Sequence, residues 1–409
     1  MAAAKILVVG GSLGGLLAAN LLHRAGCVVA LLEKSTASLD GRGAGIVTHR
    51  GLLAALRAAG AVVDDTLGVW VQRRVALDTI GATLAQTAYP QLLTSWSRLY
   101  SLLRAALPSH CLLAGHELTA VSQHRGGVEV LCSNGRRFEA EMLIASDGIR
   151  SAVRAKLAPA VQPCYAGYVA WRGVCDEALL SAHTRATLFE HFGFGLPEGE
   201  QIIGYPVAGA RNSTRHGERR YNFVWYRPAD PAVVLPRLLT DASGHHHPAG
   251  ISPQQVSTQE VARMRADAHR LLAPQWAEVI DKTAAPFLQP IYDMASDRLA
   301  FGRVALMGDA AFVARPHVGM GVSKAGDDAQ VLVRAIAAHG ATPAALQAYE
   351  AERLAPGLAV VERARRLGSY LNAQTGVAAD SRIGPVQQRP QRDPLDVLLQ
   401  TAIDLAVSV

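Results

Sequence analysis

Lys5-Ile6-Leu7-Val8-Val9-Gly10-Gly11-Ser12-Leu13-Gly14-Gly15 decides how this chain folds. The apolar run before Gly10 reads as a buried strand, the glycines as a tight turn, and Leu16 to Ala25 has helical spacing until Gly26 stops it. Cys27 to Leu32 is a second apolar run ending at Glu33, so strand, turn, helix and strand fill about thirty residues, the size of a βαβ unit. Gly10 serves the turn, Ser12 stands where a second glycine is usual, and Gly15 lets the helix pack closely. With Leu13 opening the helix, backbone N–H groups then face a pyrophosphate. Glu33, with Lys34 beside it, lies where a carboxylate accepts the hydrogen bonds of a ribose. Dinucleotide binding is the expectation, and a purely structural turn the alternative.

Further along, Val69-Trp70-Val71 and Val75-Ala76-Leu77 alternate like strands, and Ser97 to Leu107 returns to helix. Val128 to Leu131, the Asn134-Gly135 turn and Arg137 to Glu141 predict a hairpin, and Met142 to Ala145 a buried strand ending at Ser146-Asp147-Gly148. Strand-like pieces at Tyr168 to Val174, Gln201 to Pro206 and Tyr221 to Tyr226 suggest a second, mostly antiparallel sheet. A strand at Arg303 to Met307 leads into Gly308-Asp309, and helical spacing marks Pro253 to Leu272, Ser323 to Ala338, Pro343 to Leu367 and Pro394 to Val407. The expected fold class is α/β: a Rossmann-like domain (1–75, 95–165 and 296–372), an inserted sheet domain (76–94 and 166–295) and a C-terminal helical tail (373–409).

Composition narrows the function classes. The chain has 409 residues, half of them hydrophobic and 18% charged, which excludes a disordered chain and gives room for a large cofactor. The 40 basic residues exceed the 34 acidic ones without forming a run, so the positive field favours anionic small molecules over nucleic acid. Five cysteines without a C-x-x-C pair read as reduced thiols. No signal peptide and no stretch of about 18 apolar residues stands out, so a cytoplasmic protein without a membrane partner is expected. Gly244-His245-His246-His247-Pro248 reads as a surface loop rather than a metal site, and no metal is expected.

Three motifs in order, G-x-S-x-x-G at Gly10, Asp147-Gly148 after one buried strand and Gly308-Asp309 after another, resemble the FAD-dependent aromatic hydroxylases of the para-hydroxybenzoate hydroxylase type over nearly the whole chain. The resemblance implies a Rossmann-like FAD-binding domain, with Asp309 meeting the ribityl chain. It also implies that the helix beginning near Gly319, with Met320 and Gly321, offers N–H groups to the flavin pyrimidine end. Asp147 and Gly148 match the segment near the pyrophosphate that also serves transient NADH or NADPH binding. Arg42 and Arg98 match arginines near the cofactor, with solvated surface charge as the alternative. Phe312, Met320 and Ser323 depart from the broader pattern. Arg315-Pro316-His317 and Lys324-Ala325 instead resemble the subgroup of 2,6-dihydroxypyridine 3-monooxygenases of bacterial nicotine breakdown.

That subgroup implies hydroxylation of an electron-rich N-heteroaromatic ring by O₂ through a flavin C4a-hydroperoxide. Phenolic acids and purines (salicylate, hydroxybenzoate, urate) are alternative substrates, and a non-hydroxylating flavin-binding protein is a further alternative. Pro316 and His317 then stand at the flavin's active face, where a histidine can orient or deprotonate the substrate; a structural histidine is the alternative. His191, Tyr205 and Trp225 are candidates for lining the ring pocket, against ordinary packing. The apolar C-terminal segment suggests a homodimer.

Overall fold

The computed structural model describes residues 3–39, 45–372 and 393–404. Arg42 and most of the expected C-terminal tail lie outside these residues.

A six-stranded sheet carries the first domain, in the order Ala300–Phe301, Val304–Leu306, Met142–Ala145, Lys5–Val9, Val28–Glu33, Leu112–Ala114. All its pairs are parallel except the edge pair of Ala300–Phe301 with Val304–Leu306. Ile6, Leu7 and Val8 are fully buried because they lie at the centre, in register with Met142, Leu143 and Ile144 on one side and Val29, Ala30 and Leu31 on the other. The helix Leu13–Arg24 covers one face, packed against Gly321–His339 and Trp96–Ala106. In a parallel sheet of this kind ligands bind beyond the carboxyl ends of the strands, where the Gly10 and Asp147 turns and Gly308-Asp309 all emerge.

The second sheet has nine strands, antiparallel except for one parallel pair between His191–Gly195 and Val69–Leu77. It takes in Gly45–Val47 and all of Val69–Leu77, so the boundary expected after residue 75 falls inside a strand. Its two faces bury different side chains. Trp225, Tyr221 and Phe223 pack under the helices Thr258–Leu271 and Pro274–Asp281; Tyr168, Tyr205 and Tyr226 pack on the opposite, front face. The C-terminal helix Pro394–Gln400 lies over part of that front face, against Val69–Leu77 and Thr83–Ser95.

Arg74 explains how this helix is held. Its guanidinium is fully buried and donates to the carbonyls of Leu398 (2.6 Å), Thr401 (2.6 Å) and Ala402 (3.0 Å) and to Gln91 Oε1 (2.9 Å). The carbonyls of Leu398 and Thr401 are among those the helix leaves unpaired at its C-terminus, where a cation is also favoured by the helix dipole. The ring of Tyr89, 3.9 Å from the guanidinium carbon, covers one face. No helix among the described residues is long and apolar enough to cross a membrane.

Candidate active site

At the carboxyl end of the six-stranded sheet, Gly10 has φ +100° and turns the chain into the helix Leu13–Arg24. A methyl group on Gly15 would collide with the carbonyl oxygen of Gly10, so the helix start rests directly on the turn. Ser12 caps this helix without a side-chain hydrogen bond, and no acidic residue occupies its first turn. Its N–H groups remain available to an anion. Glu33 is aimed at the same place: Oε2 accepts from Gly11 N (2.7 Å) and Oε1 from Ser35 N (2.8 Å). Two backbone donors fix the carboxylate and leave lone pairs for ribose hydroxyls.

A cavity of about 330 Å³ opens here, lined by Gly10, Ser12, Glu33 and Lys34 from the first motif and by Asp147 and Gly148 from the second. Trp96, His116, Leu118 and Arg150 also line it and were not foreseen. Of these, His116 and Leu118 follow the strand Leu112–Ala114, which pairs with Val28–Glu33, so only the strand order brings them in. Arg98 is not among the lining residues; it donates to Thr66 Oγ1 (2.5 Å).

Asp147 Oδ2 accepts from Ala152 N (2.8 Å), the first residue of the helix Ala152–Leu157 that Ser151 caps, while its buried Oδ1 has no hydrogen-bond partner among the described residues. Arg154, also buried, donates to Ala310 O (3.0 Å) and Val161 O (3.2 Å), and so ties the Asp147-Gly148 segment to the Gly308-Asp309 turn. Gly308 N in turn donates to Asp328 Oδ2 (3.0 Å) on the helix Gly321–His339. Asp309 itself is left exposed. Gly319 takes the left-handed φ of +65° immediately before this helix, which Met320 caps without a side-chain hydrogen bond.

Ser323, in the first turn, bonds His49 Nδ1 through its hydroxyl (2.8 Å). Burial pushes His49 down from 6.5 to about 4, with Arg74 adding to the effect and Asp404 opposing it. Between these values the unfolded chain binds a proton that folded His49 refuses. Stability therefore falls as pH drops from about 6.5 to about 4, by up to about 3 kcal/mol. Urea unfolding at a series of pH values should show this loss, and His49→Gln should remove that part of the slope.

His317 is 1% exposed in the turn Pro316–Val318. Its Nε2 meets Tyr168 OH (2.9 Å) and its Nδ1 meets Gln201 Oε1 (3.2 Å), which also accepts from Tyr370 OH (2.6 Å). An amide oxygen only accepts, so Nδ1 carries the proton and Nε2 accepts from Tyr168 in this assignment. Behind Tyr168 lies a buried ionic triad. Arg315 Nε bonds Asp293 Oδ2 (2.7 Å), Arg365 Nε bonds Asp293 Oδ1 (2.9 Å), and Arg315 Nη1 has no hydrogen-bond partner among the described residues. Two cations share one anion, leaving a net positive charge beneath the tyrosine.

Tyr205 shares this front face, 4.9 Å from the Phe192 ring and packed against Gly45, whose N–H donates to Asn222 Oδ1 (2.9 Å). The other two pocket candidates point away. Trp225 pairs with Ile202 and Trp171 on the helix-covered face and lies under Arg227, 4.4 Å from the guanidinium carbon. His191 has the same orientation as Gly193, where an added methyl group would meet Trp276, and its Nε2 contacts Gln86 Nε2 (3.1 Å). Successive side chains alternate faces along a strand, so Tyr226 and Phe192, one residue on, occupy the front instead.

The chain is 30% identical to the 2,6-dihydroxypyridine 3-monooxygenase of Paenarthrobacter nicotinovorans, over 90% of this chain and 91% of that one. The chain belongs to the FAD-dependent aromatic monooxygenases. Residues 165–293 match the family described as FAD binding domain-like. The solved structure of 2,6-dihydroxypyridine-3-hydroxylase from Arthrobacter nicotinovorans superposes with a TM-score of 0.85 at 28% identity, covering 94% of this chain and 98% of that one. Klebsiella pneumoniae HpxO, solved with FAD and uric acid, gives 0.72 at 25% identity, covering 91% and 89%.

FAD fits the residues present. The helix start at Ser12 and Leu13 would hold the pyrophosphate, Glu33 the ribose, and Asp309 with the first turn of Gly321–His339 the flavin half. Asp147 lines the same cavity, and its buried Oδ1 has no hydrogen-bond partner among the described residues. Bound there, FAD supplies redox chemistry that no amino-acid side chain provides.

Proposed function

We propose that this monooxygenase hydroxylates an electron-rich N-heteroaromatic ring, such as 2,6-dihydroxypyridine, using O₂ and NADH or NADPH as a transient co-substrate. The observation that carries this reading is the polar chain on the front face: Arg315 beneath Tyr168, Tyr168 OH on His317 Nε2, and His317 Nδ1 on Gln201. A hydroxylated ring reacts faster in its deprotonated form, and this chain supplies both a proton acceptor and a positive field. Tyr168 is fully buried, and burial holds its hydroxyl above the ordinary tyrosine range while Arg315 opposes the shift. It therefore stays protonated and can relay a proton from the substrate hydroxyl to His317 Nε2. His317 acts through Tyr168 in this scheme, as a positioning and proton-accepting residue. The likeness to the dihydroxypyridine enzymes favours a pyridine, and the likeness to the uric acid complex makes a purine the second choice.

Two measurements test this reading. Titrating the FAD-loaded protein with 2,6-dihydroxypyridine, urate and a hydroxybenzoate should perturb the flavin spectrum most tightly with the pyridine; tighter binding of urate or the benzoate would move the assignment. His317→Gln should lower kcat on the order of a hundredfold, within the usual contribution of general acid–base catalysis. A variant that keeps the wild-type kcat would remove the relay.

A further inference from the structure

Lys324 lies in the first turn of the helix Gly321–His339, with a side chain only 1% exposed. An ammonium carries three donors, and this one has no hydrogen-bond partner among the described residues. Asp309 Oδ1 is 3.9 Å away, beyond hydrogen-bond reach, and the Phe312 ring centre is 5.9 Å from Nζ.

Neither of the other nearby carboxylates hydrogen-bonds Nζ. Asp328 gives one oxygen to Gly308 N (3.0 Å) and the other to Arg353 Nε (2.8 Å). Asp327 Oδ1 faces the start of the helix Arg50–Ala58, next to Gly51. An ammonium removed from water with one ion pair at 3.9 Å and no hydrogen-bond acceptor is costly, so a lysine retained here for structure alone would be expected to have an acceptor in the chain. Asp309, in contrast, is 55% exposed at the Gly308-Asp309 turn, so the buried cation lies directly behind an open carboxylate. Helical side chains lean toward the helix N-terminus, which brings Nζ to the same end as the unpaired N–H groups of the first turn.

We propose that Lys324 is a cofactor-binding residue: its ammonium, opposite Asp309, donates to bound FAD and places a full positive charge beside the flavin, adding to the partial charge of the helix start. This rests on FAD as the resident cofactor. A cation beside the flavin favours the state with more electrons, so Lys324 raises the reduction potential as well as the affinity.

The test uses the wild-type protein, Lys324→Met and Lys324→Arg. FAD is titrated into deflavinated protein by fluorescence quenching, and the midpoint potential of each holoprotein is read against a reference dye. Lys324→Met should raise the FAD Kd at least tenfold and move the potential to more negative values, while Lys324→Arg keeps the potential near the wild-type value. The Lys324→Met apoprotein should melt near the wild-type temperature, since Asp309, the carboxylate that loses its counter-charge, is 55% exposed, so weak binding would not reflect misfolding. Unchanged affinity and potential in Lys324→Met would overturn the proposal. Wild-type protein that takes up no FAD would overturn the flavin assignment, and the proposal with it.

Discussion

Gly15→Ala is expected to bind FAD on the order of a hundredfold more weakly than the wild-type protein, a loss comparable to one or two hydrogen bonds to a charged group. The added methyl would overlap the carbonyl oxygen of Gly10 and lie 3.0 Å from its carbon. Both are backbone atoms of the turn that shapes the pyrophosphate site, so the clash cannot be relieved by rotating a side chain. Either the helix Leu13–Arg24 retreats or the turn opens, and each displaces the N–H groups from the anion. Overpacking of this kind also costs about 1–3 kcal/mol of stability. FAD titration and thermal melting of the purified variant check both effects; wild-type affinity would show that the helix start is not the pyrophosphate site.

Asp293→Asn should have the larger effect on stability, about 3–5 kcal/mol. Asp293 is 2% exposed, and Arg315 and Arg365, each 5% exposed, depend on it for their counter-charge. An amide keeps the shape and one acceptor but leaves two guanidinium groups buried without an anion. Arg315 also sits under Tyr168, with its guanidinium carbon 5.8 Å from the ring centre, so the damage should reach the polar chain of the front face. Urea denaturation measures the first effect. A variant within about 1 kcal/mol of wild type would show that the charges are solvated, contrary to their burial.

The cofactor half of the site was legible because its chemistry is local. Gly10, Ser12 and Gly15 lie within one turn, Glu33 ends the next strand, and each constraint acts between near neighbours in sequence. The substrate half depends on which face of a sheet each side chain takes, and this sheet is buried on both faces. Tyr221 to Tyr226 is apolar or aromatic at nearly every position, so the alternation that reveals orientation in a half-exposed strand is missing. Trp225 and His191, candidates by residue type alone, therefore lie on the helix-covered face, one residue out of phase with Tyr226 and Phe192 on the front face. Tyr168, Gln201 and Tyr370 are brought to His317 by long-range pairing and carry no local signature.

Arg74 shows the same limit for charge. Arg74 lies between the strand-like pieces Val69-Trp70-Val71 and Val75-Ala76-Leu77 and is fully buried, because its acceptors come from the far C-terminal segment. Ala402 N donates to His317 O (2.8 Å), so this segment also reaches the turn that carries the histidine.

The most direct measurement is NADH oxidation by the FAD-loaded protein in air, with and without 2,6-dihydroxypyridine, with the mass of the product recorded under isotopically labelled dioxygen. Strong stimulation by the pyridine and a product heavier by one labelled oxygen atom are predicted. Oxidation that the ring does not stimulate, with peroxide as the only product from O₂, would contradict the assignment of this chain as a hydroxylase of that ring.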